Sequence, residues 1–243
     1  MLGISAGDPS FRDDDGSASP AVAAALAGFA AGRASEHAAL EELAGSRLLV
    51  PVVAVRDDQA GEAVLGEKAS DMAMPTLIGI DGRRAIPAFT GLDALKRWQA
   101  DARPVPVRAR AVWETACAED SAVVIDVAGP VPFAVEGARL LALAAGAEPP
   151  LPDADPDVRE IVASVLAGHL DIASFELEPG GDDHDLGIVL TLAEGAGTSD
   201  PASLGGQVIE GVMSRLGGRL RRGVQIWLSE PEQELSGPEQ ETA

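Results

Sequence analysis

Apolar residues along this chain gather into short runs punctuated by Pro, Gly and Asp, and the period within each run predicts its element. Ser19-Pro20 supplies an N-cap and a first-turn proline, and two helical pieces follow, broken near Gly32. Leu48 to Val55 is an apolar run of strand length. Met72 to Ile80 predicts a second strand, and Asp81-Gly82 before Ala85 to Phe89 is a hairpin signal. Pro75 and Pro87 lack amide donors, so both strands should carry an unpaired side or a bulge. Thr90-Gly91-Leu92-Asp93 fits an acidic capping pattern for a helix burying Leu92, Leu95 and Trp98. Arg103 to Val107 must be extended because of its two prolines. A helix from Arg110 to Ala118 comes next, then Ala122 to Val127, apolar enough to be a central strand covered on both faces. Val131 to Val135 and a helix from Gly137 to Ala145 close this first unit.

A second unit begins at a sharp signal. Asp155 caps and Pro156 opens a helix with Val158, Ile161, Val162, Val165 and Leu166 on one face. Strands at Leu170 to Glu178 and Leu186 to Ala193 flank a Gly-Gly-Asp-Asp turn. A helix from Asp200-Pro201 and an alternating strand through Val224, Ile226 and Leu228 complete it. The expected fold class is α/β in the α+β sense: two units, each a mixed sheet with packed helices. The expected boundaries are a disordered leader at 1–18, a first domain at 19–146, a Pro-rich acidic linker at 147–155, a small domain at 156–229 and an acidic disordered tail at 230–243.

Composition narrows the function classes. The 243 residues carry 39 acidic and 18 basic side chains, a formal charge of −21. A field of that sign repels phosphate backbones and anionic lipid, so neither nucleic acid nor a membrane surface is an expected partner. One cysteine excludes an intrachain disulfide and a cysteine metal cluster. Charged export signals and spans of membrane length are not evident, so cytoplasm is the expected compartment.

Several motifs imitate chemistry without its context. Gly3-Ile4-Ser5-Ala6-Gly7 matches G-x-S-x-G but lacks a preceding strand. Gly195-Ala196-Gly197 resembles the start of a dinucleotide loop, yet Asp200 stands where the third glycine belongs and would repel a pyrophosphate. Asp153, Asp155 and Asp157 open like a calcium loop but meet Val158 and Ser164 where Gly and Glu are required. Asp182-Asp183-His184-Asp185 could hold a cation weakly, though a turn favours the same residues. Cys117 reads as a buried inert thiol rather than the partner of His37 or His169. Arg215, Arg219, Arg221 and Arg222 read as helix-end charges, with docking of an acidic partner or of the chain's own tail as the alternative. No catalytic constellation, cofactor or metal is expected. Lys68, Ser70, Asp71 and Met72, polar residues leading into a buried-looking strand, are the expected contact residues for a partner.

A series of phrases in fixed order carries a family resemblance. They are Leu48 to Val53, Glu67-Lys68 through Asp71-Met72-Ala73-Met74-Pro75, Asp81 to Thr90, Trp98, Ala102 to Val107 and Gly129-Pro130-Val131-Pro132-Phe133. Over roughly residues 20–146 the chain resembles the N-terminal domain of the SseB (enhanced serine sensitivity) family in its actinobacterial form. The second unit is similar to the small C-terminal domain of many such proteins. The resemblance implies an α/β protein with no established catalytic residues to carry over. The expectation is therefore a non-enzymatic, cytoplasmic, protein-binding regulatory protein. The alternatives are a small-metabolite sensor or enzyme acting on an amino acid, which Lys68 and Asp71 could hold as a zwitterion, and a dimer scaffold.

Overall fold

The computed structural model describes residues 9–54, 72–80, 82–194 and 201–229. The chain divides into two compact units, Met1–Leu151 and Pro152–Ala243. Among the described residues no helix is long and apolar enough to cross a membrane.

In the first unit the helices are α1 (Pro20–Ala30), α2 (Glu36–Ala44), α3 (Leu92–Trp98), α4 (Ala109–Ala118) and α5 (Gly137–Ala145). The strands are β1 (Arg47–Ala54), β2 (Met72–Ala73), β3 (Leu77–Ile78), β4 (Arg84–Ala88), β5 (Arg103–Arg108), β6 (Ala122–Ile125) and β7 (Phe133–Val135). β1 lies between β2 and β5, antiparallel to both. A four-stranded sheet runs β3-β4-β6-β7, in which β4 and β6 are parallel and the outer pairings antiparallel. Reciprocal backbone bonds between Leu49 and Phe89, 2.8 and 2.9 Å, stitch the two sheets together.

Side-chain alternation explains why these runs are apolar throughout. Leu48, Val50, Ile86, Ala88, Val123 and Ile125 enter one core with α1, α2, α4 and α5, around the fully buried Trp113. Leu49 and Phe89 point the other way, into a smaller core with Ala94, Leu95 and Trp98 of α3. Glu36 and Arg139, both buried, form an ion pair between the first turns of α2 and α5.

Three local expectations change. The strand predicted from Met72 to Ile80 is two pieces in two sheets, because Pro75 between them cannot donate to a ladder. The hairpin pairs β3 with β4, Leu77 facing Ala85. The helix at 92 is capped by Gly91 with no side-chain bond, so Thr90 does not cap it. Residues 9–18, expected to be disordered on composition, make defined contacts: Asp14 pairs with Arg47 at 2.5 Å, and Leu92 N–H donates to Gly16 C=O at 2.8 Å. Gly16 has φ +77°, and a Cβ there would sit 2.4 Å from Leu92. Composition reports few apolar residues in this segment but not the glycine fit and the arginine that hold it.

The second unit comprises α6 (Pro156–Leu166), β8 (Ile172–Pro179), β9 (Leu186–Leu192), α7 (Pro201–Leu216) and β10 (Val224–Ser229). Its sheet runs β10-β9-β8, with β9 parallel to β10 and antiparallel to β8. α6 and α7 cover one face through Val158, Val162, Leu204, Val208 and Val212 packed on Leu186, Ile188 and Leu190. Together the two units are α+β.

Candidate functional site

Parallel strands gather ligands at their carboxyl ends, because the chain there leaves the sheet and exposes backbone and loop side chains in one place. Among the described residues of the first unit β4 and β6 run parallel, and Asp126 follows β6 directly while Thr90 stands two residues past β4. The Asp126 carboxylate accepts from Thr90 N–H at 2.8 Å through Oδ1 and from Thr90 Oγ1 at 2.7 Å through Oδ2. Asp126 itself has φ +50°, a left-handed conformation uncommon outside glycine, which turns its side chain back toward β4.

A cleft of about 500 Å³ opens at this point. Asp126, Thr90 and Asp93 line it together with Lys96 and Arg97 of α3, and Asp15 to Ala18 form another part of its wall. Burial raises the Asp126 carboxyl above its ordinary value; the two Thr90 hydrogen bonds and the Arg97 charge oppose that rise without cancelling it. Asp15 is held below the usual carboxylate range by bonds from Ser17.

Arg47 ties the wall to the sheet. Its guanidinium donates to Thr90 C=O at 2.8 Å, to Asp14 Oδ1 at 3.0 Å and to Ser17 C=O at 2.5 Å. A continuous polar chain therefore runs Asp14–Arg47–Thr90–Asp126, from the N-terminal segment to the floor of the cleft. Neither Thr90 nor Asp126 stands out by residue type. The signal that points to them is position: a lone acid directly after an all-apolar strand, and a threonine two residues past the end of its parallel neighbour.

The residues singled out from sequence fare differently. Lys68, Ser70 and Asp71 lie outside the described residues; Met72 is the first residue of β2, paired with Ala54. Gly3 to Gly7 and Gly195 to Gly197 also lie outside them. Cys117 is half-buried, its Sγ 3.9 Å from Leu140 C=O, and burial raises its thiol.

In the second unit Arg215, Arg219 and Arg222 serve its own fold. Asp155 is fully buried, caps α6 by accepting from Asp157 N–H at 2.8 Å, and pairs with Arg219 at 2.6 Å. Asp185 is buried too and accepts from Arg222 N–H at 2.7 Å and Nε at 2.8 Å. Arg215 donates to Ser164 at 2.7 Å. Asp185 is thus taken out of the Asp182–Asp185 cluster, and His184 sets its ring edge against Trp227 at 5.8 Å.

One further grouping has a metal-like outline: His37, Glu41 and Glu148 hold one ligand atom each within 4.8 Å of the others. A ligating imidazole normally donates its second N–H to a partner. Among the described residues His37 Nδ1 is buried with no hydrogen-bond partner, so that orienting partner is missing here, while Nε2 lies 3.7 Å from Glu41 and 3.4 Å from Glu148.

Residues 22–142 match the family model described as the SseB protein N-terminal domain. No curated protein and no solved structure matches the chain.

Proposed function

Starting from the match of residues 22–142 to the SseB N-terminal domain, we propose that this is a non-enzymatic, cytoplasmic regulatory protein whose first unit binds a small polar ligand and signals its presence to a protein partner. The cleft at the ends of β4 and β6 carries this reading. It offers a carboxylate and two cationic side chains, Lys96 and Arg97, within one cavity of ligand size. Both Asp126 oxygens are already engaged by Thr90, which suits a fixed recognition group better than a proton carrier. A molecule bearing both charges, such as a free amino acid, complements such a lining. Lys68, Ser70, Asp71 and Met72 remain the proposed contacts for the protein partner.

A thermal-shift titration with the common amino acids tests the ligand. At a hundredfold excess over Kd a bound ligand stabilises by about 2.7 kcal/mol. Arg97→Gln and Asp126→Asn should each abolish that shift while leaving the apo melting profile cooperative. A flat panel removes the small-ligand reading. Affinity capture compared between the native chain and Lys68→Ala/Asp71→Ala tests the partner surface, and unchanged capture removes it.

A further inference from the structure

The cleft at the ends of β4 and β6 has two chemically different parts, and the difference specifies what fits it. Its polar groups divide first by commitment. Thr90 and Asp126 bond each other, and Asp15 accepts from Ser17 N–H at 2.8 Å. Three charged side chains are left over: Asp93, Lys96 and Arg97, all exposed, all on α3 and all in the lining. Spacings of three and four residues would let Asp93 pair with either cation. Among the described residues, however, none of the three is hydrogen-bonded or ion-paired to another side chain; Arg97 acts on Asp126 through its charge alone.

The remaining walls offer little to a polar group. α1 presents Ala23 and Ala27, one turn apart and both exposed, with Leu26 between them in sequence. The loop after β6 adds Pro130 and Val131. None of these side chains can donate or accept a hydrogen bond, and the α1 backbone at these positions is helical, its polar groups spent inside the helix. On the N-terminal wall the carbonyls of Gly16 and Ser17 already accept from Leu92 N–H and from Arg47.

We infer that the cleft selects a neutral amino acid with an aliphatic side chain, of the leucine, isoleucine and valine class; the inference rests on the small-ligand reading above. The α-carboxylate goes to Lys96 and Arg97, the α-ammonium to Asp93 and the lone pairs Asp126 has left, and the side chain to the alanine face of α1. Charge supports a ligand that is neutral overall. Asp15, Asp93 and Asp126 outnumber the two cations in the lining, and the chain carries a formal charge of −21, so a dicarboxylate is repelled. A second cation on the ligand would meet aliphatic walls without a counter-ion. A side-chain hydroxyl or amide would leave water for walls that cannot replace its hydrogen bonds. Size acts in the same sense: in a cleft of about 500 Å³, glycine and alanine leave the aliphatic wall uncovered.

Calorimetric titration of the full chain with single amino acids tests this. Leucine should bind at least about tenfold more tightly than asparagine, which has a similar branched shape but carries an amide, and than alanine, which lacks the aliphatic end. Leucinamide and N-acetyl-leucine, each missing one of the two charges, should bind at least about tenfold more weakly than leucine. Ala27→Leu, at an exposed helix position, fills the aliphatic wall and should weaken leucine by about tenfold or more with an unchanged circular dichroism spectrum. Asp93→Asn should weaken leucine to a similar degree. Asparagine or glutamate bound as tightly as leucine, or leucine binding indifferent to Ala27→Leu and Asp93→Asn, overturns this inference and leaves the amino-acid reading standing. A chain that binds none of the amino acids overturns both.

Discussion

Replacing Arg139 by methionine should destabilise the first unit by about 3–5 kcal/mol, the usual effect of removing one member of a buried ion pair. Arg139 is 3% exposed and Glu36 5%, so neither charge is screened by water. The guanidinium bonds Glu36 through Nη1 and also reaches Ala134 C=O at 3.5 Å. Methionine keeps most of the stem's volume and withdraws the charge, leaving the Glu36 carboxylate buried without its main counter-ion. The first turn of α2 softens this, because a helix amino end favours an anion by up to ~1 kcal/mol. The assay is urea unfolding followed by Trp113, which is fully buried, in a Trp98→Phe/Trp227→Phe background so that the signal reports this unit alone. With a slope of about 2 kcal/mol per molar urea, the midpoint should fall by roughly 1.5–2.5 M. Glu36→Leu/Arg139→Met, which removes both charges, should return most of the loss. A single variant shifted by less than about 0.5 M, or a double variant as weak as the single, would refute the reasoning that desolvated charge dominates at this junction.

Other expectations follow from the same structure. Because burial raises the Asp126 carboxyl, the folded state binds a proton more tightly than the unfolded state; stability from this group is greatest below the unfolded value of 3.8 and declines as pH rises through the higher folded value. The stability difference between the native chain and Asp126→Asn should therefore shift in favour of the native chain as pH falls through that window; a pH-independent difference would contradict it. Cys117 should react with iodoacetamide more slowly than a free thiol at pH 8 and reach the free rate in denaturant, since burial disfavours its thiolate. Asp155→Ala removes both the α6 cap and the partner of Arg219, and should destabilise the second unit by about 2–4 kcal/mol by Trp227 fluorescence. Arg47→Met should increase protease cleavage near Asp14, measured by mass spectrometry, because the guanidinium holds that segment.

Much of the architecture was legible because it depends on local pattern. The broken helices on either side of Gly32, the apolar β1 and β6, the capped α6 and the alternating β10 all appear where periodicity and turn chemistry place them. Sheet membership was harder. Met72 and Leu77 are five residues apart in one apolar stretch yet belong to different sheets, because distant β1 takes the first while the neighbouring hairpin strand β4 takes the second. The cleft was less legible still. Thr90 reads locally as a helix cap and is diverted by Asp126, thirty-six residues on, through two hydrogen bonds that no short-range pattern encodes. Conversely, Arg219 and Arg222 look like a surface patch in sequence because the carboxylates that hold them, Asp155 and Asp185, are sixty-four and thirty-seven residues away.

The attachment of residues 14–18 to Arg47 and Leu92 has a practical corollary for anyone trimming this protein. A fragment spanning only the family-matched residues 22–142 would retain β1, β4 and β6 but discard Asp15 to Ala18, and with them one wall of the cleft. Ligand screens on such a fragment would interrogate a wider, shallower hollow than the intact chain presents, and a negative answer there would describe the truncation.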